Sequence, residues 1–375
     1  MQTLPHITAR EASHHGAVLA VELRKRKKKL VRRAESDRSQ VLRRLYQGAF
    51  LLLNVWVGGI FYLWVRRIEA GETVTSMPPA GVEGWLPIAG LMNLKYLLAS
   101  GHVPVIHPAA MFLLITFLAM AFLLRKAFCS WLCPVGTVSE YLGRMGKWFF
   151  GRNFRLWRWI DIPLRGLKYL LLGFFAWAIS MMSADAIGAF MRSEYGVVTA
   201  VKMLNFFRYL STTAIVVLVL LGIASLFVKN FWCRYLCPYG ALLGFASLLS
   251  PLRIRREEEP CIDCGKCAKV CPSALPVDKL VTIRSAECTG CLECVAVCPA
   301  EGALHLALPK AVTRAKRVPG WAVAAGVAAL FFGIVGYAKV SGLWNSAISA
   351  GTYRQLVPHA SEARHPMPGD PEISR

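Results

Sequence analysis

The sequence predicts an α-helical integral membrane protein of about five transmembrane helices, with a small α+β cysteine-rich domain inserted before the last helix. Three observations predict it. Apolar runs of membrane-crossing length recur along the chain, and 55% of its 375 residues are hydrophobic. Two of those runs end in the same cysteine–proline motif, with a shift of 104 residues between the copies, so the membrane part reads as a duplicated two-span unit. Eight of the twelve cysteines crowd into residues 261–299.

In chain order, residues 1–44 form a basic tail that includes the run from Arg24 to Lys29. The tail is too long and too charged for a signal peptide, and no small-residue cleavage site follows the apolar run after it. The first span is expected at 49–65, with Trp56, Tyr62 and Trp64 suited to the interface. A loop at 66–107 carries three basic and three acidic residues, and a second span follows at 109–124. Residues 125–168 hold nine basic and two acidic residues. Within them Trp148, Phe149, Phe150, Phe154, Trp157 and Trp159 alternate with arginines, a pattern that fits a helix lying on the membrane better than a single-stranded nucleic-acid site. The third span is expected at 169–184, a nearly neutral loop at 185–208, and the fourth span at 209–228. The domain boundaries that result are 1–44, a membrane domain 45–252, the cysteine-rich domain 253–308, a fifth helix at 318–340, and a tail 341–375 without visible chemistry.

A net charge of +22 invites a nucleic-acid reading, but the charges flank apolar runs, where anionic lipid and the positive-inside rule explain them. No nucleic acid is expected as partner. Lys and Arg gather in the N-terminal tail, in 125–168 and ahead of the cysteine-rich domain. This asymmetry sets the N-terminus and the cysteine-rich domain on the cytoplasmic side of the inner membrane, and the C-terminus on the periplasmic side. Reduced thiols belong on that same cytoplasmic side.

The cysteine-rich run reads C-x2-C-x2-C-x3-C-P twice, at Cys261, Cys264, Cys267 and Cys271 and again at Cys288, Cys291, Cys294 and Cys298. This is the spacing of bacterial two-cluster ferredoxins, in which three close thiolates grip one [4Fe–4S] cube and the fourth reaches the other. Cys261, Cys264, Cys267 and Cys298 are then expected to hold one cluster, and Cys271, Cys288, Cys291 and Cys294 the second. A zinc site uses paired C-x2-C hooks and needs no third close cysteine or trailing proline. With no C-x-x-C-H in the chain, covalent haem is not expected.

The remaining thiols are Cys129-x3-Cys133-Pro134 and Cys233-x3-Cys237-Pro238, each directly after an apolar run. One expectation brings all four together as a third metal site, most plausibly a third [4Fe–4S] cluster, with Arg125, Lys126, Lys229 and Arg234 offsetting its charge. The alternative leaves them as packed thiols beside a helix-ending proline. His102 and His107 precede the second span; histidines near a helix start are usually simple interface residues, with contact to quinone or haem as the alternative. Asp185 is read as marking the end of the third span, with a proton relay as the alternative.

Two C-x3-C-P motifs after membrane spans, followed by the double ferredoxin run, resemble the NapH-type membrane polyferredoxins, relatives of NosR and CcoG. One branch of that family looks closer still over nearly all the chain from Leu45 onward. The likeness includes Gly84-Trp-Leu-Pro-Ile-Ala-Gly-Leu-Met-Asn-Leu-Lys-Tyr96 and Asp161-Ile-Pro-Leu-Arg-Gly-Leu-Lys-Tyr-Leu-Leu171. The resemblance implies an electron carrier, or a quinol dehydrogenase component rather than a stand-alone enzyme, that links the quinone pool to a redox partner protein. Flavin is not expected, since no Ser/Thr-Gly-Ala-Thr sequence is present and some 48 residues precede the first span. Two other functions are open to the C-x3-C-P thiols: copper handling, since soft thiolates favour Cu(I), and redox sensing through the basic tail.

Overall fold

The computed structural model describes residues 30–33, 37–308 and 317–366. The basic run Arg24–Lys29 lies outside them. Helix α1 (Ser39–Glu69) is the longest element. At a rise of about 1.5 Å per residue it exceeds a hydrocarbon core of about 30 Å. Its first turns bury Ser39, Arg43 and Gln47, and its middle exposes Leu52, Leu53, Val55 and Trp56. A 3₁₀ turn (Ala80–Trp85) and α2 (Pro87–Ser100) lead into α3 (Pro108–Leu123). This helix is apolar all round and buried from Pro108 to Ala121 on most sides, so it is the centre of the bundle.

The first cysteine pair sits on the short α4 (Ala127–Trp131) and at the start of α5 (Pro134–Phe150). Next come α6 (Arg158–Met181), α7 (Ala184–Arg192), α8 (Glu194–Arg208) and α9 (Thr212–Phe227). The second pair sits on α10 (Phe231–Tyr235) and at the start of α11 (Pro238–Leu248). The duplication shows in the packing. Helix α5 lies against α1 of its own half and α9 of the other, while α11 lies against α6 of its own half and α3 of the other.

The cysteine-rich domain begins at β1 (Arg253–Arg256), continues through α12 (Lys266–Val270) and α13 (Glu293–Ala296), and closes with β2 (Leu304–Ala307) and β3 (Arg317–Val318). The strands form one antiparallel sheet in the order β1-β2-β3, with Ile254 opposite Leu306 and Leu306 opposite Val318. Its core is Ile254, Leu275, Val277, Ile283, Leu292, Val295, Leu304 and Leu306. Strand β3 runs straight into α14 (Gly320–Val340), whose first residue touches Ser39 at the start of α1. A last helix, α15 (Ala350–Leu356), packs on α8, with Tyr353 edge-on to Trp64.

Among the described residues, three helices are long and apolar enough to cross a membrane: α1, α6 from Trp159, and α14. A fourth span exists if α8 and α9 count together, and these bend by 78° at their break. The expected second span is the shorter α3, of 16 residues, and α11 is a further short apolar helix. Helix α9 exposes Ile215, Val216, Val217, Leu218, Val219 and Leu220, as only a lipid-facing helix can without penalty. Trp148, Phe149, Trp157 and Trp159 are also exposed, in keeping with a surface on the membrane interface.

The structure corrects the sequence reading at the end of the bundle away from the ferredoxin domain. Residues 185–208, read as a loop, are helices α7 and α8, capped by Ser183 and Ser193 accepting from Ala186 and Gly196. Asp185 is an exposed first-turn residue of α7, just past the end of α6. The tail beyond 341 is not featureless, because Trp344, Ile348, Tyr353, Val357 and Ala360 are buried.

Helices α5 and α9 cross at Gly146, where an added Cβ would run into the Leu226 carbonyl oxygen. Gly146→Ala is therefore expected to lower unfolding stability in detergent by about 1–3 kcal/mol, as overpacking does. Gly173→Ala, with nothing near its added Cβ, is expected to be neutral or slightly stabilising in the same thermal-unfolding measurement.

Candidate metal centres

The C-P-x-G sequences build the thiol sites from local rules. Proline at the first helical position costs nothing, since its missing N–H would be unpaired there anyway. The preceding cysteine becomes the N-cap. Cys133 Sγ accepts from Gly136 N at 3.4 Å, and Cys237 Sγ accepts from Gly240 N at 3.3 Å. Helices α5 and α11 thus point their positive ends at thiol sulfur, which favours the thiolate a metal requires.

The pairs from the two halves come together. Cys129, Cys133, Cys233 and Cys237 all line one cavity of about 970 Å³. Burial pushes the Cys129 thiol up to about 11, with Lys126 opposing and Cys237 adding to the rise. Burial pushes Cys133 up to about 12, with Cys129 adding and the Gly136 N–H opposing. Cys233 is raised by burial first and then by its three partner thiols. The four are therefore mutual neighbours in a dry setting. They lose protons readily only to a bound metal group that replaces the lost solvation.

Of the four cations expected to offset their charge, Lys126 and Arg234 line the same cavity, and Lys126 acts on Cys129, Cys233 and Cys237. Arg125 is fully buried but donates to the carbonyls of Ser247 and Ser285. Lys229 pairs with Glu293 at 3.0 Å, and Arg234 pairs with Asp161 at 2.6 Å. A further cation is Lys168, which acts on Cys129 and Cys237 and binds Glu287 at 2.6 Å. Sequence reading missed it because it lies 31 residues beyond Thr137 on another helix, although the quoted Asp161–Leu171 stretch contains it.

In the ferredoxin domain the crossed pattern appears in space. One pocket is lined by Cys261, Cys264, Cys267 and Cys298, and another by Cys271, Cys288, Cys291 and Cys294. Gly265 and Leu292, both in the left-handed region, turn the chain between the ligand-type cysteines. Among the described residues, no three Cys, His, Asp or Glu side chains converge tightly enough for a single metal ion. Cys264 is exposed, whereas Cys291 and Cys294 are buried. The first pocket therefore lies toward solvent and the second toward the bundle.

The second pocket is fastened to the thiol-bearing helices. Ser130 Oγ donates to the Thr289 carbonyl at 2.7 Å, and Trp131 Nε1 to that of Gly290 at 3.3 Å. Arg43 binds Glu140 through both terminal nitrogens, at 2.7 and 2.8 Å, and reaches Glu293 at 2.9 Å. Glu287 is held below the ordinary carboxylate range: burial works the other way and is outweighed by Lys126, Lys168 and Tyr169.

The two histidines before α3 sit in different settings. His107 is buried, with Nδ1 3.2 Å from Glu83 and Nε2 2.8 Å from the Gly196 carbonyl, so it ties the outer cap to α3. His102 is exposed and contacts the Ser100 carbonyl.

Comparison with known proteins supports 4Fe–4S ferredoxin-type domains in this chain. Residues 106–156 and 210–257 each match a family described as 4Fe-4S binding domain, and residues 253–308 match one described as 4Fe-4S dicluster domain. YccM of Escherichia coli, named for electron transport, is 51% identical over 86% of this chain and 91% of its own length. The ferredoxin-type protein NapH of Escherichia coli is 26% identical over 63% of this chain and 76% of its own. The methylamine utilization ferredoxin-type protein MauN of Methylorubrum extorquens is 29% identical over 61% and 73%. No solved structure matches.

The two halves differ in how tightly the first cysteine helix meets the second. An added Cβ at Gly136 would run into the Cys129 carbonyl oxygen, while at Gly240 its nearest neighbour is Cys237 Sγ at 3.6 Å. Gly136→Ala should therefore lower the iron content of anaerobically purified protein, and Gly240→Ala should leave it unchanged.

Proposed function

The chain belongs to the membrane polyferredoxin family that includes YccM and NapH, and we propose that it draws electrons from quinol inside its helical bundle and delivers them to a redox partner at the ferredoxin domain. It is an electron transport protein with 4Fe–4S ferredoxin-type domains. In this reading Cys261, Cys264, Cys267 and Cys298 hold one cluster and Cys271, Cys288, Cys291 and Cys294 a second. Cys129, Cys133, Cys233 and Cys237 hold a third. Bound clusters supply stepwise one-electron transfer.

The observation that carries the reading is the shared cavity. Its walls include Phe50, Leu53 and Val57 of α1 and Phe331, Phe332 and Val335 of α14. Leu53 and Phe332 are exposed on the side where lipid would lie, so a prenyl tail has an apolar way in between these two helices. The deep end is polar and holds the four C-x3-C thiols, Lys126, Ser130 and Glu287. Thr289 and Cys291 of the second ferredoxin run form part of the same floor. A quinol headgroup seated there has the four thiols on one side and the second ferredoxin pocket just beyond.

The chain's own residues then have separable roles. Lys126 and Lys168 offset negative charge at the four-thiol site. Trp131, fully buried, keeps water out between that site and the second pocket. The exposed Cys264 end presents the first pocket to the partner protein. Facing that end to the cytoplasm follows from the charge asymmetry of the loops.

The double variant Cys129→Ser with Cys233→Ser separates the three sites. Wild-type protein should hold about twelve irons and the variant about eight, with both ferredoxin-type signals intact by EPR. A short-tailed quinol should reduce clusters in the wild type and none in the variant. Full iron content and full quinol-dependent reduction in the variant would remove the four thiols from the pathway.

A further inference from the structure

The cavity does more than reach the thiols. Helix α14 starts beside Ser39 at the ferredoxin end and finishes at Val340, so Lys339, Gly342, Trp344 and Asn345 belong to the opposite end of the bundle. All four line the same cavity, as do Met77, Pro78 and Pro79 ahead of the 3₁₀ turn. The cavity therefore runs the depth of the bundle, from the cap opposite the ferredoxin domain down to Cys129 and Cys233. Its upper wall carries polar groups: Asn54, whose Oδ1 accepts from Trp85 Nε1 at 3.1 Å, Lys339 and Asn345. The walls are mostly apolar, so water finds its partners at these polar groups and at the polar floor.

The ferredoxin end is closed. Arg43, Lys168 and Trp131 are at most 1% exposed. Each is fixed there, by Glu140 and Glu293, by Glu287, and by the Gly290 carbonyl respectively. Ser130 Oγ is occupied by the Thr289 carbonyl, and Lys126 Nζ by that of Ala286. Packed and hydrogen-bonded side chains thus fill the place where the four-thiol site meets the second ferredoxin pocket.

We propose that quinol oxidation in this protein separates charge: protons leave through the cavity toward the face opposite the ferredoxin domain, while electrons leave through the ferredoxin domain. The step is the two-electron oxidation of a quinol to its quinone. Both O–H bonds break, two protons pass to cavity water, and two electrons pass singly to an acceptor at the Cys264 end. This rests on the quinol reading above and adds the side on which protons appear.

The test uses the whole iron-loaded protein in sealed vesicles. Ferricyanide outside accepts electrons from molecules whose ferredoxin domain faces outward, a pH dye is trapped in the lumen, a potential-sensitive dye is added, and the direct oxidation of quinol by ferricyanide, measured in protein-free vesicles, is subtracted. On adding a short-tailed benzoquinol, the lumen should acidify by one proton per ferricyanide reduced, with a lumen-positive potential that an uncoupler abolishes. Acidification outside in step with ferricyanide reduction, without a potential, would overturn the proposal. If quinol reduces no ferricyanide while dithionite-reduced protein does, the quinol reading itself falls. A second readout needs no turnover. Leu113→Cys, on the cavity wall beside the 3₁₀ turn, should react with a membrane-impermeant maleimide presented from the face opposite the ferredoxin domain. Reaction only from the ferredoxin side would contradict the proposed opening.

Discussion

The arrangement depends on one buried cation. Arg43, in the second turn of α1, is 1% exposed and shared between Glu140 of the first half and Glu293 of the ferredoxin domain. A buried ion without partners costs several kcal/mol, so Arg43 requires these carboxylates, while Glu140 also binds Gln47 and Arg144, and Glu293 also binds Lys229. Arg43 and its hydrogen bond hold Glu140 down to about 2 against the upward pull of burial, so it stays ionised at any physiological pH. The other half joins through Lys229, on the second oxygen of Glu293. A segment that follows the second cysteine pair is thereby locked between both halves of the bundle. Electron transfer needs that fixed spacing more than it needs stability.

The lock also explains an asymmetry between the two ferredoxin runs. In the second run Glu287 and Glu293 stand immediately before Cys288 and Cys294. The matching positions of the first run are Pro260 and Lys266. Glu287 binds Lys168 and Tyr169, and Glu293 binds Arg43 and Lys229, so the acidic run is the docked one. The first run has an exposed Lys266 and an exposed Cys264, and faces out. The difference was present in the sequence as two carboxylates, but nothing there named their partners on α1, on α6 and beyond α9.

What could be read in advance followed from short-range rules. Cysteine spacing, the 104-residue repeat and the apolar runs each express a constraint that acts within a few turns of chain. The helices at the far cap were harder. Helices α2, α7 and α8 mix apolar and polar residues and bury only part of one face, so hydropathy alone marks them as loop. The serine caps of α7 and α8, and Pro87 at the first position of α2, were the available signals. The bend between α8 and α9 and the cavity wall are set by contacts between residues as far apart as Phe50 and Phe331, whose rings meet at 5.3 Å. Lys229 and Arg234 look like charge partners for the neighbouring thiols along the chain, yet each turns to a carboxylate elsewhere.

The central claim is that three iron–sulfur sites stand in a row from the bundle cavity to the Cys264 surface. Anomalous scattering at the iron edge, from crystals grown anaerobically, tests it most directly. The account predicts three iron peaks per chain: one ringed by Cys129, Cys133, Cys233 and Cys237, one beside Glu287 and Glu293, and one by Cys264, with the second between the other two. Two peaks confined to the ferredoxin domain, or a zinc edge at the four-thiol site, would contradict it.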